Sequence, residues 1–180
     1  MPRSRANGPG TRFVIWTQGC ARRCPGCFNP TTHAHEPHQL ISVDEMFDKI
    51  MADSTTIEGI SISGGEPLEQ ADAIFKLLTR IRQETSLSTL FFTGYTYDEI
   101  TANPVHSAIL PLIDVLIAGP YDETQRQSSS LLGSKNQQIY LLTNRYTRTQ
   151  LEYVPPTEVH ITPDGQIIIS GINPQHLNSE

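Results

Sequence analysis

All three cysteines of the chain fall in one stretch, Cys20-Ala21-Arg22-Arg23-Cys24-Pro25-Gly26-Cys27. That crowding rules out a disulfide framework, because three thiols leave one unpaired and no fourth exists. The fold must therefore rest on a hydrophobic core rather than on covalent staples, and 180 residues suffice to bury one in a single domain. Spacers of three and two residues let a loop wrap one corner of a compact metal centre. Three protein ligands on a four-coordinate centre leave one position open, which catalysis uses and a structural site lacks. Structural zinc would need a fourth ligand. An iron–sulfur cube with one iron free of protein ligands fits three thiolates better.

The flanking sequence supplies a sheet to carry that loop. Phe13-Val14-Ile15-Trp16 is a β-branched and aromatic run that reads as a buried strand, Trp16 included, and it feeds directly into the cysteines. Metal ligands just past the carboxyl end of a strand are the habit of α/β sheets and barrels. Residues 1–10 are polar and glycine-rich and read as a mobile arm, with Arg12 and the earlier basic residues solvated. Residues 29–40 lack periodicity and form a loop, in which His33, His35 and His38 face solvent or substrate rather than a metal. Ser42 and Glu45 make a capping box, Ile41 stands at the staple position, and Met46, Phe47, Ile50 and Met51 follow as a core face.

Gly59-Ile60-Ser61-Ile62-Ser63 is a second strand, ended by Gly64-Gly65-Glu66-Pro67, where two glycines let a ligand approach the backbone. Pro67 opens a helix with Ala71, Ile74, Phe75, Leu78 and Ile81 on its apolar face. Strands follow at 88–92, 113–117 and 138–143, the first running into Thr93-Gly94-Tyr95 and a short helix at 97–100. Residues 122–135, with Ser128-Ser129-Ser130, read as a polar mobile loop. Residues 159–162 and 166–170 flank the turn Pro163-Asp164-Gly165, a hairpin expected to add an antiparallel edge to the sheet. Strands alternating with helices give an α/β fold with a mostly parallel sheet. The expected organisation is one domain over 1–180: an arm (1–12), a core (13–145) and a C-terminal hairpin and tail (151–180).

Composition narrows the partners. A formal net charge of −6 and a pI near 5.5, with no Lys/Arg stripe, exclude a nucleic-acid or anionic-membrane surface. No apolar run approaches the roughly 18 residues of a membrane span, and the N-terminus has no signal-like apolar stretch. Unpaired cysteines point to the reducing cytoplasm.

In a parallel sheet, strand ends of one polarity share a side, so the cysteines, Gly64-Gly65-Glu66-Pro67 and Thr93-Gly94-Tyr95 should converge. These residues resemble the radical S-adenosylmethionine superfamily: the cysteine spacing matches its signature, and Gly-Gly-Glu-Pro looks like its methionine-binding motif. Across residues 8–145 the likeness sharpens. Gly8-Pro9-Gly10-Thr11-Arg12, Pro25-Gly26-Cys27-Phe28-Asn29, Ser63-Gly64-Gly65-Glu66-Pro67, Thr93-Gly94-Tyr95 and Gly133-Ser134-Lys135-Asn136-Gln137 are similar to the small branch containing the anaerobic ribonucleotide reductase activating proteins. That resemblance implies an abbreviated, partial β/α barrel. It implies that Cys20, Cys24 and Cys27 bind three irons of a [4Fe–4S] cluster, the fourth chelating the amino and carboxylate groups of S-adenosylmethionine. Gly64, Gly65 and the Glu66 carboxylate would hold the methionine ammonium, and Phe28 would pack on the adenine. Asn29, Pro67, Thr93, Tyr95 and Asn136 would complete the cofactor pocket. An external donor would supply an electron at roughly −400 mV or below, and the resulting 5′-deoxyadenosyl radical would abstract hydrogen from a peptide or protein.

At two positions the chain departs from the activating proteins, which commonly carry Asp where Ala118 stands and Arg where Leu132 stands. Both are charge-recognition residues, and both are replaced by apolar ones. The expected substrate is therefore a ribosomally made precursor peptide, matured on its backbone or side chains. Recognition would come from a small partner protein or from the loops at residues 29–40 and 122–135, since no length remains for a separate recognition domain. The alternative is an activase that installs a glycyl radical on an anaerobic ribonucleotide reductase. A zinc-stabilised binding module is the non-enzyme reading.

Overall fold

The computed structural model describes residues 1, 3–129, 131–162 and 164–172. Its strands in chain order are β1 (Arg12–Thr17), β2 (Gly59–Gly64), β3 (Ser88–Thr93), β4 (Val115–Ala118), β5 (Arg126–Ser129), β6 (Leu132–Ser134), β7 (Gln138–Leu141), β8 (Thr157–Ile161) and β9 (Ile167–Gly171). The helices are α1 (Val43–Ala52), α2 (Ala71–Glu84), α3 (Tyr97–Ala102), α4 (Pro104–Ser107) and α5 (Arg148–Glu152). One sheet has the order β1-β2-β3-β4-β7, with the first four strands parallel and β7 antiparallel to β4.

Alternation of side chains splits the core into two layers. Ile60, Ile62, Phe91 and Leu116 face the side covered by α1 and α2, where Phe47, Ile50, Ile74, Leu78 and Ile81 pack onto them. Leu90, Val115 and Ile117 face the other side, against Leu131, Leu151 and Val154. The capping box of Ser42 and Glu45 starts α1 as expected, and two more, Thr96 with Glu99 and Thr147 with Gln150, start α3 and α5. No helix among the described residues is long and apolar enough to cross a membrane.

The mostly parallel α/β sheet is as expected; among the described residues it ends at β1 and β7 and is open. Several other expectations are corrected. The antiparallel edge comes from β7, reached from β4 without a crossover helix, whereas β8 and β9 pair with each other in a separate two-stranded sheet. Residues 122–135 are a 3-10 turn followed by the β5–β6 hairpin, with Leu131 buried. The N-terminal arm is docked: Ser4 and Arg12 exchange backbone hydrogen bonds at 2.8 Å, and the Met1 ammonium donates to the Val14 carbonyl at 2.9 Å.

Arg12 is fully buried rather than solvated. Its guanidinium donates to Ser61 Oγ, Ser88 Oγ, Tyr146 Oη and the Pro9, Ile60 and Ser88 carbonyls. Trp16 is 37% exposed and Met51 is exposed. Phe75 and Leu77 stand on opposite flanks of the α2 stripe, and packing buries the Leu77 flank. Pro2, Ser130, the turn residue Pro163 and residues 173–180, with His176, lie outside the described residues.

Candidate active site

The cysteine loop leaves the end of β1 and is laced in place through its backbone. Gly65 N–H donates to the Thr17 carbonyl and Glu66 N–H to that of Gly19, both at 2.8 Å. On the other side Gly19 N–H donates to the Thr32 carbonyl at 2.9 Å and Cys20 N–H to that of His33 at 3.2 Å. The glycine pair also serves the packing of the cysteine loop. A Cβ on Gly64 would overlap the Thr17 backbone, and one on Gly65 would overlap the Gly19 carbonyl. The missing side chains let the end of β1 and the start of the cysteine loop pack directly on the glycine backbone, while both glycines still line the cavity described below. Gly64 also holds φ +109°, a left-handed conformation that disfavours any side chain. Within the spacer between Cys20 and Cys24, Arg23 holds φ 45°, unusual for a side-chain-bearing residue.

Glu66 caps the 3-10 turn Pro67–Gln70 and is 1% exposed. Its Oε1 accepts from Leu68 N–H at 3.0 Å and Thr93 Oγ1 at 2.7 Å, and its Oε2 accepts from Gly94 N–H at 2.8 Å. Burial pushes its pKa up, while those three donors and the charge of Arg22 pull it down. A carboxylate offers about four acceptor positions, so the protein's own donors use most of them. The side chain ties the end of β2 to the end of β3, and about one acceptor position remains for a ligand.

Arg22, inside the cysteine spacer, lies with its guanidinium 4.1 Å from the centre of the Tyr95 ring. Its Nη2 donates to both Glu99 oxygens at 2.9 and 3.0 Å. Its Nε is buried and has no hydrogen-bond partner among the described residues. Glu69 adds a second clamp, accepting from Ala21 N–H at 2.7 Å through one oxygen and contacting His35 Nε2 at 2.7 Å through the other.

One cavity of about 390 Å³ opens where these segments meet. Cys20, Cys24, Cys27, Phe28, Asn29, Gly64, Gly65, Glu66 and Thr93 all line it. Pro67, Tyr95 and Asn136 do not. Pro67 is buried behind the wall, Tyr95 stacks under Arg22 and against His106, and Asn136 donates to the Pro120 carbonyl at 2.7 Å. Phe28 is held by Tyr121, with ring centres 4.7 Å apart, and by the Arg126 guanidinium at 5.1 Å, while Gly133 lies close enough that a Cβ there would strike the ring. Burial pushes the Cys27 thiol pKa up, and the Asn29 N–H, 3.4 Å from Cys27 Sγ, opposes it.

Sequence reasoning missed Trp16, Arg22 and the stretch Ile169-Ser170-Gly171-Ile172 as lining residues; His33 also lines the cavity, its Nε2 buried and unpartnered among the described residues. The arginine pair inside the cysteine spacer was the one available signal. Ala118 and Leu132, the two departures from the family pattern, do not line the cavity: Ala118 is buried in β4, and Leu132 packs against the second core layer.

The donor set fits a thiolate-bound cluster. Three free thiols share one cavity wall, and soft thiolates select iron–sulfur, zinc or cuprous centres. Among the described residues no three Cys, His, Asp or Glu side chains converge on one point.

A family profile described as a 4Fe–4S single cluster domain matches residues 6–140. The chain is 37% identical over 145 residues to the anaerobic ribonucleoside-triphosphate reductase-activating protein of Vibrio cholerae, covering 76% of this chain and 92% of that one. It is 34% identical over 143 residues to the protein of that name from Escherichia coli strain K12, with the same coverage. The one from Enterobacteria phage T4 is 28% identical over 138 residues, covering 74% and 86%.

Proposed function

Because the chain belongs to the 4Fe–4S single cluster domain family, we propose that it activates an anaerobic ribonucleoside-triphosphate reductase by installing a glycyl radical on that protein. The observation that carries this reading is coverage. Relatives bearing the activating-protein name match over 92% of their own length, so this chain spans nearly all of what they consist of. It is an enzyme of the iron–sulfur radical type, with a [4Fe–4S] cluster and S-adenosylmethionine as cofactors. When bound, these supply a low-potential electron and the carbon radical that its arrival releases from the sulfonium.

The chain's own residues do the positioning. Cys20, Cys24 and Cys27 hold the cluster from one wall. Gly64, Gly65 and Glu66 form the adjoining wall, against which the methionine end of the cosubstrate lies. Phe28, braced by Tyr121 and Arg126, offers a ring for the adenine. With cosubstrate and substrate filling the cavity, little room would remain for water beside a reactive radical. The electron comes from an external donor, and the unpaired thiols favour the reducing cytoplasm.

The precursor-peptide reading rested on Ala118 and Leu132. Neither side chain lines the cavity, and both pack in the core layers, which weakens the case for a different substrate. The relatives' names favour the activase. The separate small partner protein followed from the peptide reading alone and is dropped with it.

The test is anaerobic reconstitution with iron and sulfide, followed by S-adenosylmethionine, a reductant and an anaerobic ribonucleoside-triphosphate reductase. The expected products are 5′-deoxyadenosine and a glycyl radical signal on the reductase. Cys20→Ala, Cys24→Ala and Cys27→Ala should each abolish both. A colourless protein after reconstitution, or 5′-deoxyadenosine formation retained in all three variants, would overturn the reading.

A further inference from the structure

The β8–β9 hairpin lies outside the matched family domain, which ends at residue 140, yet Ile169, Ser170, Gly171 and Ile172 line the cavity. Antiparallel register decides which of its side chains share a face. Val159 stands opposite Ile169 and Ile161 opposite Ile167, whereas Glu158 stands opposite Ser170 and His160 opposite Ile168. The Glu158–Ser170 face is pinned to the N-terminal arm. Glu158 Oε2 accepts from Arg5 N–H at 2.8 Å, and Asn7 Nδ2 bridges Ser170 Oγ at 2.6 Å and Ser4 Oγ at 2.7 Å.

The opposite face carries four β-branched aliphatic side chains, Val159, Ile161, Ile167 and Ile169, none of which belongs to either core layer. Val159, Ile161 and Ile167 are 49%, 72% and 66% exposed, while Ile169, half-buried, forms part of the cavity wall. An apolar strip thus runs from solvent directly to the cavity. Contiguous exposed apolar surface marks an interaction site far more often than scattered single residues do.

Residues 173–180 carry one aliphatic side chain, Leu177, and do not complement a four-residue strip. The occupant is set instead by where the strip ends. Resting on the activase reading, a backbone glycine of a protein must enter this cavity. Glycine has no side chain to be recognised, so selection has to come from the residues flanking it in an extended segment. We propose that the face formed by Val159, Ile161, Ile167 and Ile169 is the docking surface for an apolar extended segment of the reductase next to its radical-bearing glycine. The hairpin is then a guide that this chain adds to the matched domain, delivering the segment to the cavity while the opposite face holds the arm.

Ile161→Glu with Ile167→Glu tests this, because neither residue lines the cavity and both are mostly exposed. Three quantities are read for the reconstituted wild type and the double variant. They are 5′-deoxyadenosine formed without reductase, the dependence of glycyl radical formation on reductase concentration, and the sedimentation behaviour of the enzyme by itself. The expected result is unchanged 5′-deoxyadenosine formation and about a tenfold or greater rise in the reductase concentration giving half-maximal radical. Ile161→Val with Ile167→Val should restore the wild-type dependence. An unaltered dependence in the Glu variant overturns the docking assignment and leaves the activase reading standing. Wild-type enzyme that forms 5′-deoxyadenosine but no radical on the reductase overturns the activase reading and this assignment with it. A wild-type dimer that the Glu variant dissolves, with reductase dependence unchanged, assigns the strip to a second copy of this chain and overturns the proposal.

Discussion

Removing the Glu66 carboxylate should separate stability from cluster binding. In Glu66→Ala, three donors lose their acceptor at a position only 1% exposed: Leu68 N–H, Gly94 N–H and the Thr93 hydroxyl. A buried donor left unsatisfied costs about 1–3 kcal/mol. The Thr93 hydroxyl can turn, but the two backbone groups are fixed, and removing a buried charge returns part of its desolvation cost. The net loss should be about 3 kcal/mol, which for a chain of this size lowers the thermal midpoint by about 6–12 °C. Glu66→Gln keeps a carbonyl for Leu68 and Thr93 but turns an amide toward Gly94 N–H, so its loss should be smaller, about 1–2 kcal/mol. Thermal unfolding of the anaerobically purified proteins, followed by circular dichroism, gives the order wild type, Gln, Ala. Iron content after reconstitution should stay at the wild-type level, because the backbone bond from Glu66 N–H to Gly19 does not involve the side chain. An Ala variant within about 1 kcal/mol of wild type, or one that loses iron as readily as a cysteine variant, would refute the bracing role.

Gly65→Ala should have the opposite profile. Its new Cβ strikes the Gly19 carbonyl, so the cysteine loop moves and iron retained after reconstitution should fall well below wild type; a fully loaded variant would contradict the account of the glycine pair. Arg12→Met removes six donor contacts at the amino ends of β1, β2 and β3, the opposite end of β1 from the cysteine loop. It should cost at least about 3 kcal/mol, read as a lower urea midpoint with unchanged slope, and leave iron content intact. Acid should destabilise the fold through Glu45, Glu99 and Asp122. Their pKa values are depressed first by the Ser42 backbone N–H, the Thr96 backbone N–H and the Thr124 side chain respectively. A depressed folded pKa gives stability that is present above the ordinary carboxylate value, about 4, and is lost as pH falls through the folded value. Glu66, raised by burial, acts in the reverse direction, its contribution declining as pH rises through its folded pKa. Thermal midpoints should therefore drop below about pH 4, and Glu66→Gln should flatten the curve above it; a midpoint that rises on acidification would contradict the assignment.

What was legible in the sequence were features written in neighbouring residues. β1 and β2 announce themselves by β-branched runs, α1 by its capping box, and the two loops by cysteines and glycines standing directly at strand ends. A parallel sheet then leaves those loops no choice but to meet. What was not legible depends on partners far along the chain. Arg12 is buried because Ser61, Ser88 and Tyr146, 49, 76 and 134 residues away, converge on it. Trp16 looked like core by composition, but it sits on the cavity side of β1. The wall at residues 169–172 comes from a hairpin whose attachment depends on Asn7, 163 residues before Ser170. The close approach at Gly64 and Gly65 was legible, but not that Thr17 and Gly19 are among the approaching atoms, because a glycine does not name its neighbours.

The backbone contacts of the glycine pair bear on how such an enzyme changes its target. Thr17, Gly19 and Cys20 are hydrogen-bonded to Gly65, Glu66, Thr32 and His33, so the thiols and the glycine wall form one backbone-linked unit. Any side chain at Gly64 or Gly65 disturbs that unit, and the cysteine loop with it. The β8–β9 hairpin is attached differently, with Glu158 and Ser170 reaching the arm through side chains. Its exposed face can be altered residue by residue with the thiol lacing untouched. If the proposed docking face is right, target choice can change on the hairpin while the backbone-linked unit of thiols and glycines stays as it is.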